Sequence, residues 1–131
     1  MITSQFPIRG LSDLASSESV RSFFYLATPY AKYAGGKREA YELACKYTHD
    51  LIAAGVPVFS PIAHSHSIAK TCNMNKNSHD LWMPQDLAIL RGASGLLIAP
   101  VAGWRNSKGI AMEVAEANEH NIPIWLLDVH W

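Results

Sequence analysis

A small doubly wound α/β domain is predicted, with a parallel sheet of four to five strands and helices on both faces. Three observations predict it. Short apolar runs recur at residues 23–27 (FFYLA), 56–60 (VPVFS), 95–99 (GLLIA) and 122–127 (IPIWLL). Each is of strand length and bounded by Gly, Pro or polar residues. Helical periodicity separates several of these runs, and strands alternating with helices imply right-handed crossovers and parallel pairing.

The first ten residues read as an irregular arm. Residues 12–20 allow a short helix with Ser12 as N-cap. The first strand, 23–27, ends in the turn Thr28-Pro29-Tyr30, and a loop with Lys32 and the pair Gly35-Gly36 follows. Residues 37–54 are helical, because Ala40, Ala44, Tyr47 and Leu51 recur at i, i+4, i+7 and i+11. Gly55 stops that helix and Pro57 prevents its continuation. The second strand, 56–60, carries a proline and so reads as an edge strand or a strand start. Residues 61–79 read as a long polar connection, a length that is usually functional or mobile. Pro84 fits the first position of a helix, which puts Asp86 in its first turn, where the macrodipole favours an anion. The third strand is 95–99. A second helical period, Ile110, Val114 and Ala117, follows, with Ser107 as N-cap. The fourth strand is 122–127. The strand order expected is 2-1-3-4, the flavodoxin or Rossmann-like arrangement, in which ligands bind beyond the carboxyl ends of the strands at the switch point.

Composition limits the function classes. A chain of 131 residues, 49% hydrophobic and 17% charged, suits one globular domain, read here as an arm over 1–22 and a single α/β domain over 23–131. A net charge of +0 argues against a nucleic-acid polymer as partner, since such binding needs a basic face. No apolar run reaches the ~18 residues of a membrane span, so no membrane partner is expected. The start of the chain has no basic segment followed by an apolar core, so no signal peptide is read. Cys45 and Cys72 form neither a metal motif nor a disulfide framework, which suggests a reduced, cytoplasmic setting.

The chemistry gathers in residues 103–117, GWRNSKGIAMEVAEA. Ser107 at the helix start, with Arg105 and Lys108 beside it, suits an anion, and Gly109 allows a ligand to approach the backbone. Glu113 lies among apolar residues in the same helix. Topology brings Asp86 and Glu113 to one sheet edge, together with Thr28 and Tyr30 after the first strand and His64 and His66 after the second. Two carboxylates in a cleft suit substitution at an anomeric carbon, one as nucleophile and one as acid/base. Tyr25 or Tyr30 would orient the nucleophile. His64 and His66 sit at i, i+2, but no further ligand completes a metal sphere. A base or sugar contact is the reading kept for them, and no metal or cofactor is expected. Trp104 would stack on a base or pack between subunits.

Four features resemble the nucleoside 2-deoxyribosyltransferase superfamily, including its deoxynucleoside monophosphate N-glycosidase branch. They are FYLATPY in the first strand, DLAILRGASGLLIAP with Asp86, the Ser-x-Gly-x-x-x-Glu arrangement of Ser107, Gly109 and Glu113, and the strand NIPIWLL. The resemblance implies that Glu113 is the nucleophile and Asp86 the acid/base. Serine at 107, where transferases acting on free nucleosides tend to have an acidic residue, implies a 5′-monophosphate substrate and hydrolysis. It also implies a homodimer or higher homo-oligomer, because relatives complete the site across an interface. A nucleotide-binding or sensing module without turnover is the alternative.

Overall fold

The computed structural model describes residues 1–15, 22–74 and 79–128. Its elements in chain order are β1 (Ile8–Gly10), α1 (Leu11–Ala15), β2 (Phe24–Ala27), α2 (Lys37–Ala53), β3 (Val58–Phe59), α3 (Pro61–Thr71), α4 (His79–Leu90), β4 (Gly95–Ile98), a 3₁₀ turn (Trp104–Asn106), α5 (Lys108–Glu119) and β5 (Ile124–Asp128). The five strands form one sheet in the order β1-β5-β4-β2-β3, and every pairing is parallel. The four strands expected from sequence stand in their expected order. The fifth is added at the far edge.

Alternation along the central strands divides the core in two. Tyr25 and Ala27 of β2, with Leu96 and Ile98 of β4, face a layer that includes Leu90 of α4 and Ile110, Val114 and Ala117 of α5. Phe24, Leu26 and Leu97 face the other way, against Leu14 of α1 and Tyr47 and Leu51 of α2. β2 and β4 are buried along their whole length, as expected for strands covered on both faces. The parity of β2 decides the site, because it turns Tyr25 toward α5.

Helix ends follow from local chemistry. Gly55 after α2 has φ +84°, and its neighbour Val56 donates N–H to Leu51 O at 2.9 Å. Asn73 after α3 and Asn121 after α5 take the same left-handed conformation, with Met74 bonding back to Ala69 and Ile122 to Ala117.

Four expectations are corrected. The N-terminal segment is not an irregular arm. β1 pairs with β5, Ile2 is buried in the core, and Leu126 donates its N–H to Pro7 O at 2.8 Å. Next to it, Ser12 lies inside α1 rather than capping it, and residues 16–20 of the expected helix lie outside the described residues. The connection after the second strand is mostly helix. Ser60 Oγ accepts from Ala63 N–H at 3.1 Å and Pro61 occupies the first helical position, so α3 starts where a loop was expected. Its polar sequence hid a helix that packs against α2 and buries only Pro61 and Ser65. Finally, α4 begins at His79, and Pro84 lies inside it. The backbone group that this proline leaves unbonded is the carbonyl of Asp80, in the exposed first turn. Asp86 is therefore in the second half of the helix, beyond reach of the N-terminal dipole.

Candidate active site

A cavity of about 730 Å³ opens beyond the carboxyl ends of β2 and β4. The loop after β2, the inner faces of α3 and α4, and the start of α5 enclose it. Its size is that of a small-molecule site.

Glu113 belongs to its wall and is 5% exposed. The Tyr25 hydroxyl donates to Glu113 Oε2. Burial and the nearby Glu113 and Asp86 charges push the tyrosine pKa far above its usual range, so Tyr25 stays a donor. Burial raises the Glu113 carboxyl to about 8; the Tyr25 hydrogen bond opposes that rise and the Asp86 charge adds to it. Asp86, 6% exposed, also faces the cavity, and burial raises it to about 6. Its Oδ1 is buried with no hydrogen-bond partner among the described residues. Two carboxyl groups seven-and-twenty positions apart in sequence thus sense each other electrostatically in one apolar pocket, as the topology predicts.

The start of α5 completes one end. Ser107 Oγ accepts from Ile110 N–H at 3.2 Å and caps the helix. Ser107, Lys108 and Gly109 all border the cavity. A Cβ on Gly109 would come no closer than 3.9 Å to Met83 Cε or Ser107 Oγ, so packing does not require glycine there. What glycine leaves is open space beside the first helical N–H groups, which have no partner within the helix. Thr28 and Tyr30 border the cavity from the β2 side, where the Thr28 hydroxyl is buried and unpartnered.

Five candidate residues do not border it. Tyr25 reaches it only through its hydrogen bond to Glu113. Arg105 turns away and donates from Nη1 to Ile2 O at 2.9 Å and Ser4 O at 3.0 Å, its guanidinium 4.3 Å from the Trp104 ring centroid. Trp104 is itself buried, packed against Phe6. The segment that sequence reading left free at the N-terminus thus occupies both side chains. His64 and His66 follow from α3 being a helix. His64 contacts the rings of Phe59 and Trp82. His66 stacks on Tyr41 at 4.2 Å, and its Nδ1 lies 2.6 Å from the Tyr30 hydroxyl. Burial, with Lys70, Arg38 and Lys37 nearby, lowers the His66 pKa. It reaches the cavity only by positioning Tyr30.

Two helices supply wall residues that were not among the candidates. Ser65 of α3 and the α4 residues His79, Trp82 and Met83 border the cavity. The α4 set stands at i, i+3, i+4 and, with Asp86, i+7, one helical face. That spacing was legible once the helix was allowed to begin before Pro84. Lys32, in the loop after β2, and Lys37, the first residue of α2, border the cavity as well.

Among the described residues no helix is long and apolar enough to cross a membrane. A search of curated proteins finds no match. One protein family, described as a domain of unknown function (DUF1937), matches residues 22–128. The match runs from the residues before β2 to the end of β5 and contains every residue of the cavity wall, and on that extent the chain belongs to this family.

Proposed function

We propose that the protein is an N-glycosidase or deoxyribosyltransferase-like enzyme that cleaves the N-glycosidic bond of a (deoxy)nucleoside 5′-monophosphate or nucleoside. The observation that carries this reading is the buried pair, Glu113 held by the Tyr25 hydroxyl and Asp86 with an unpartnered oxygen, in a cavity of small-molecule size. The superfamily resemblance of the sequence points the same way.

In this scheme the Glu113 carboxylate attacks C1′ of the sugar as the C1′–N bond breaks. The Asp86 proton goes to the departing base. Water then gives its proton to Asp86 and attacks C1′, which releases Glu113; a second base in place of water completes a transfer. The pair must therefore hold one proton. With Asp86 raised to about 6 and Glu113 to about 8, that condition is met between those values. Burial raises Glu113 further than Asp86, so in the empty site the proton favours Glu113, and the substrate must favour the reactive arrangement, proton on Asp86. A base that accepts a hydrogen bond from protonated Asp86 favours that arrangement, and Tyr25 stabilises the resulting Glu113 anion. Binding the correct leaving group would thus create the nucleophile.

Ser107, Lys108 and the N–H groups of Lys108 and Gly109 suit a 5′-phosphate, with Lys32 and Lys37 as further cations at the wall. No cofactor is called on. A homodimer or higher homo-oligomer belongs to the same reading: Leu81 of α4 and Met112 of α5 are large exposed apolar side chains beside cavity residues of the same helices. The free cysteines Cys45 and Cys72 suit a reducing cytoplasm.

The test is a chromatographic assay of the pure protein with ribo- and deoxyribonucleotides, with and without free bases, beside Glu113→Gln. Free base released by the wild type, with turnover lost by orders of magnitude in the variant, is expected. Base exchange with little release would assign a transferase. Nucleotide binding without turnover would replace the enzyme with a binding or sensing module.

A further inference from the structure

Among the described residues, three buried side-chain polar atoms lack a hydrogen-bond partner: Thr28 Oγ1, Asp86 Oδ1 and His79 Nε2. All three belong to residues of the cavity wall. An unpaired buried donor or acceptor is costly and uncommon, so three around one cavity describe the polar groups of its ligand. Asp86 has a role in the proposed reaction. Thr28 borders the cavity where β2 ends. His79 has no role so far, and nothing in the packing supplies one.

Its position in α4 gives one. His79 and Asp86 are seven residues apart, two turns or about 10.5 Å along the axis, on one face of the helix. Trp82 and Met83 lie between them and border the same cavity. The face is therefore polar at both ends and apolar in the middle. With a hydrogen bond of about 2.9 Å at each end, the space between suits a flat heterocycle. We infer that this face of α4 is a base-recognition rail: the planar leaving group lies along Trp82 and Met83, its glycosidic end at Asp86 and its far edge on His79 Nε2. His79 is then a specificity-determining residue, and the accepted class is a nucleobase with a polar group opposite its glycosidic nitrogen. The tautomer of His79 decides between a carbonyl-bearing edge, which needs a donor, and an amino-bearing edge, which needs an acceptor. This rests on the reading of the cavity as a nucleotide site, but it is tested by binding and needs no turnover.

The experiment titrates the full-length protein by calorimetry with paired free ligands, adenine against benzimidazole and uracil against 2-pyridone. The second of each pair keeps the ring skeleton but lacks the far exocyclic group together with the nitrogens of the six-membered ring (benzimidazole) or N3 (2-pyridone), so the His79 variants assign the far-edge contact. The same titrations are run on His79→Phe and His79→Gln, and a ¹⁵N spectrum follows the wild-type imidazole. At least one base should bind the wild type about tenfold to a hundredfold more tightly than its pair, one hydrogen bond to a buried partner, with a shift of the His79 Nε2 signal. His79→Phe should erase that ratio while binding the unsubstituted ring as before, and His79→Gln should keep part of it. Ratios near one in the wild type, an unaltered ratio in His79→Phe, or an equal loss for both members of a pair would overturn the rail. Base reading by His79 in a protein that turns over no nucleotide would retire the glycosidase and leave the rail standing; turnover with no discrimination at His79 would do the reverse.

Discussion

Glu113→Gln should make the protein more stable, and increasingly so as pH rises. A carboxyl group whose pKa is raised by folding holds more protons in the folded chain than in the unfolded one, so stability falls as pH climbs from the unfolded value to the folded one. For Glu113 those values are the ordinary 4.5 and about 8. The resulting cost is about 1 kcal/mol at pH 5, about 3 at pH 7 and about 5 at pH 9, where it levels off. Gln is nearly isosteric, keeps an oxygen that accepts from Tyr25, and carries no charge at any pH. The titration of Asp86 is largely common to both proteins and cancels in the difference. Urea denaturation of wild type and variant at pH 5 and pH 9 measures the change. The variant should gain about 4 kcal/mol on the wild type between the two, less whatever local relaxation recovers. A stability difference that stays flat across that range would mean that Glu113 is solvated or permanently paired, and both the electrostatics of the site and the reaction drawn from them would fall.

Further expectations concern the neighbours of that residue. The wild-type rate should be bell-shaped in pH with limbs near 6 and 8, where the pair gains its second proton and loses its last one; a flat profile across that range contradicts a shared-proton mechanism. Tyr25→Phe removes the donor that opposes protonation of Glu113, so the alkaline limb should move up and kcat at neutral pH fall about 10- to 100-fold, one hydrogen bond to a charged group. An unchanged pH–rate profile would show that the tyrosine only packs. Ser107→Ala should cost about 1 kcal/mol by loss of the α5 cap. Ser107→Asp keeps an acceptor for the cap but sets an anion at the phosphate end, so it should raise KM for monophosphates relative to nucleosides while stability in urea holds. Arg105→Ala loses the hydrogen bonds to Ile2 and Ser4, so it should destabilise the fold by about 1–2 kcal/mol and leave KM unchanged; a raised KM for monophosphates would return Arg105 to the anion site.

What was legible in the sequence is what periodicity encodes. The buried faces of α2 and α5 repeat every three or four residues, and the central strands are continuous apolar runs, so the sheet order and the convergence of Tyr25, Asp86 and Glu113 follow from rules of handedness and edge. Three elements were hidden, each for its own reason. β1 is three residues long, with an exposed Ile8 and two half-buried neighbours, and exists only because β5 offers it an edge. α3 buries Pro61 and Ser65 rather than an apolar stripe, so no hydrophobic period announces it. In α4, Pro84 suggested a helix start because an interior proline normally breaks a helix; here the orphaned carbonyl is in the first turn, where helix carbonyl groups can reach water. The site errors derive from these three. Arg105 and Trp104 left the site because the N-terminal segment binds them, His64 and His66 because α3 is helical, and His79 was no candidate because α4 was expected to start after it.

Whether the cavity is a site or a packing gap can be argued from its walls alone. Gaps left by imperfect packing are apolar, stay dry and strand no polar groups. Here the wall of α4 carries Met83 and Trp82, yet the same wall and its neighbours strand a carboxyl oxygen, an imidazole nitrogen and a hydroxyl. Replacing Asp86 and Glu113 by apolar residues of similar volume would relieve the desolvation of both, and nothing in the packing around them demands a carboxyl group. Tyr25 could be Phe without loss of core volume, and its hydroxyl has a partner only because Glu113 is there. Gly109 is at the first turn of a helix where alanine would fit without a clash and favour the helix by roughly 0.5–1 kcal/mol. At Asp86, Glu113, Tyr25 and Gly109, then, the residue present is the less stable choice for the fold. Selection for stability would remove such choices one at a time, and their survival together is what a ligand that satisfies them all would explain.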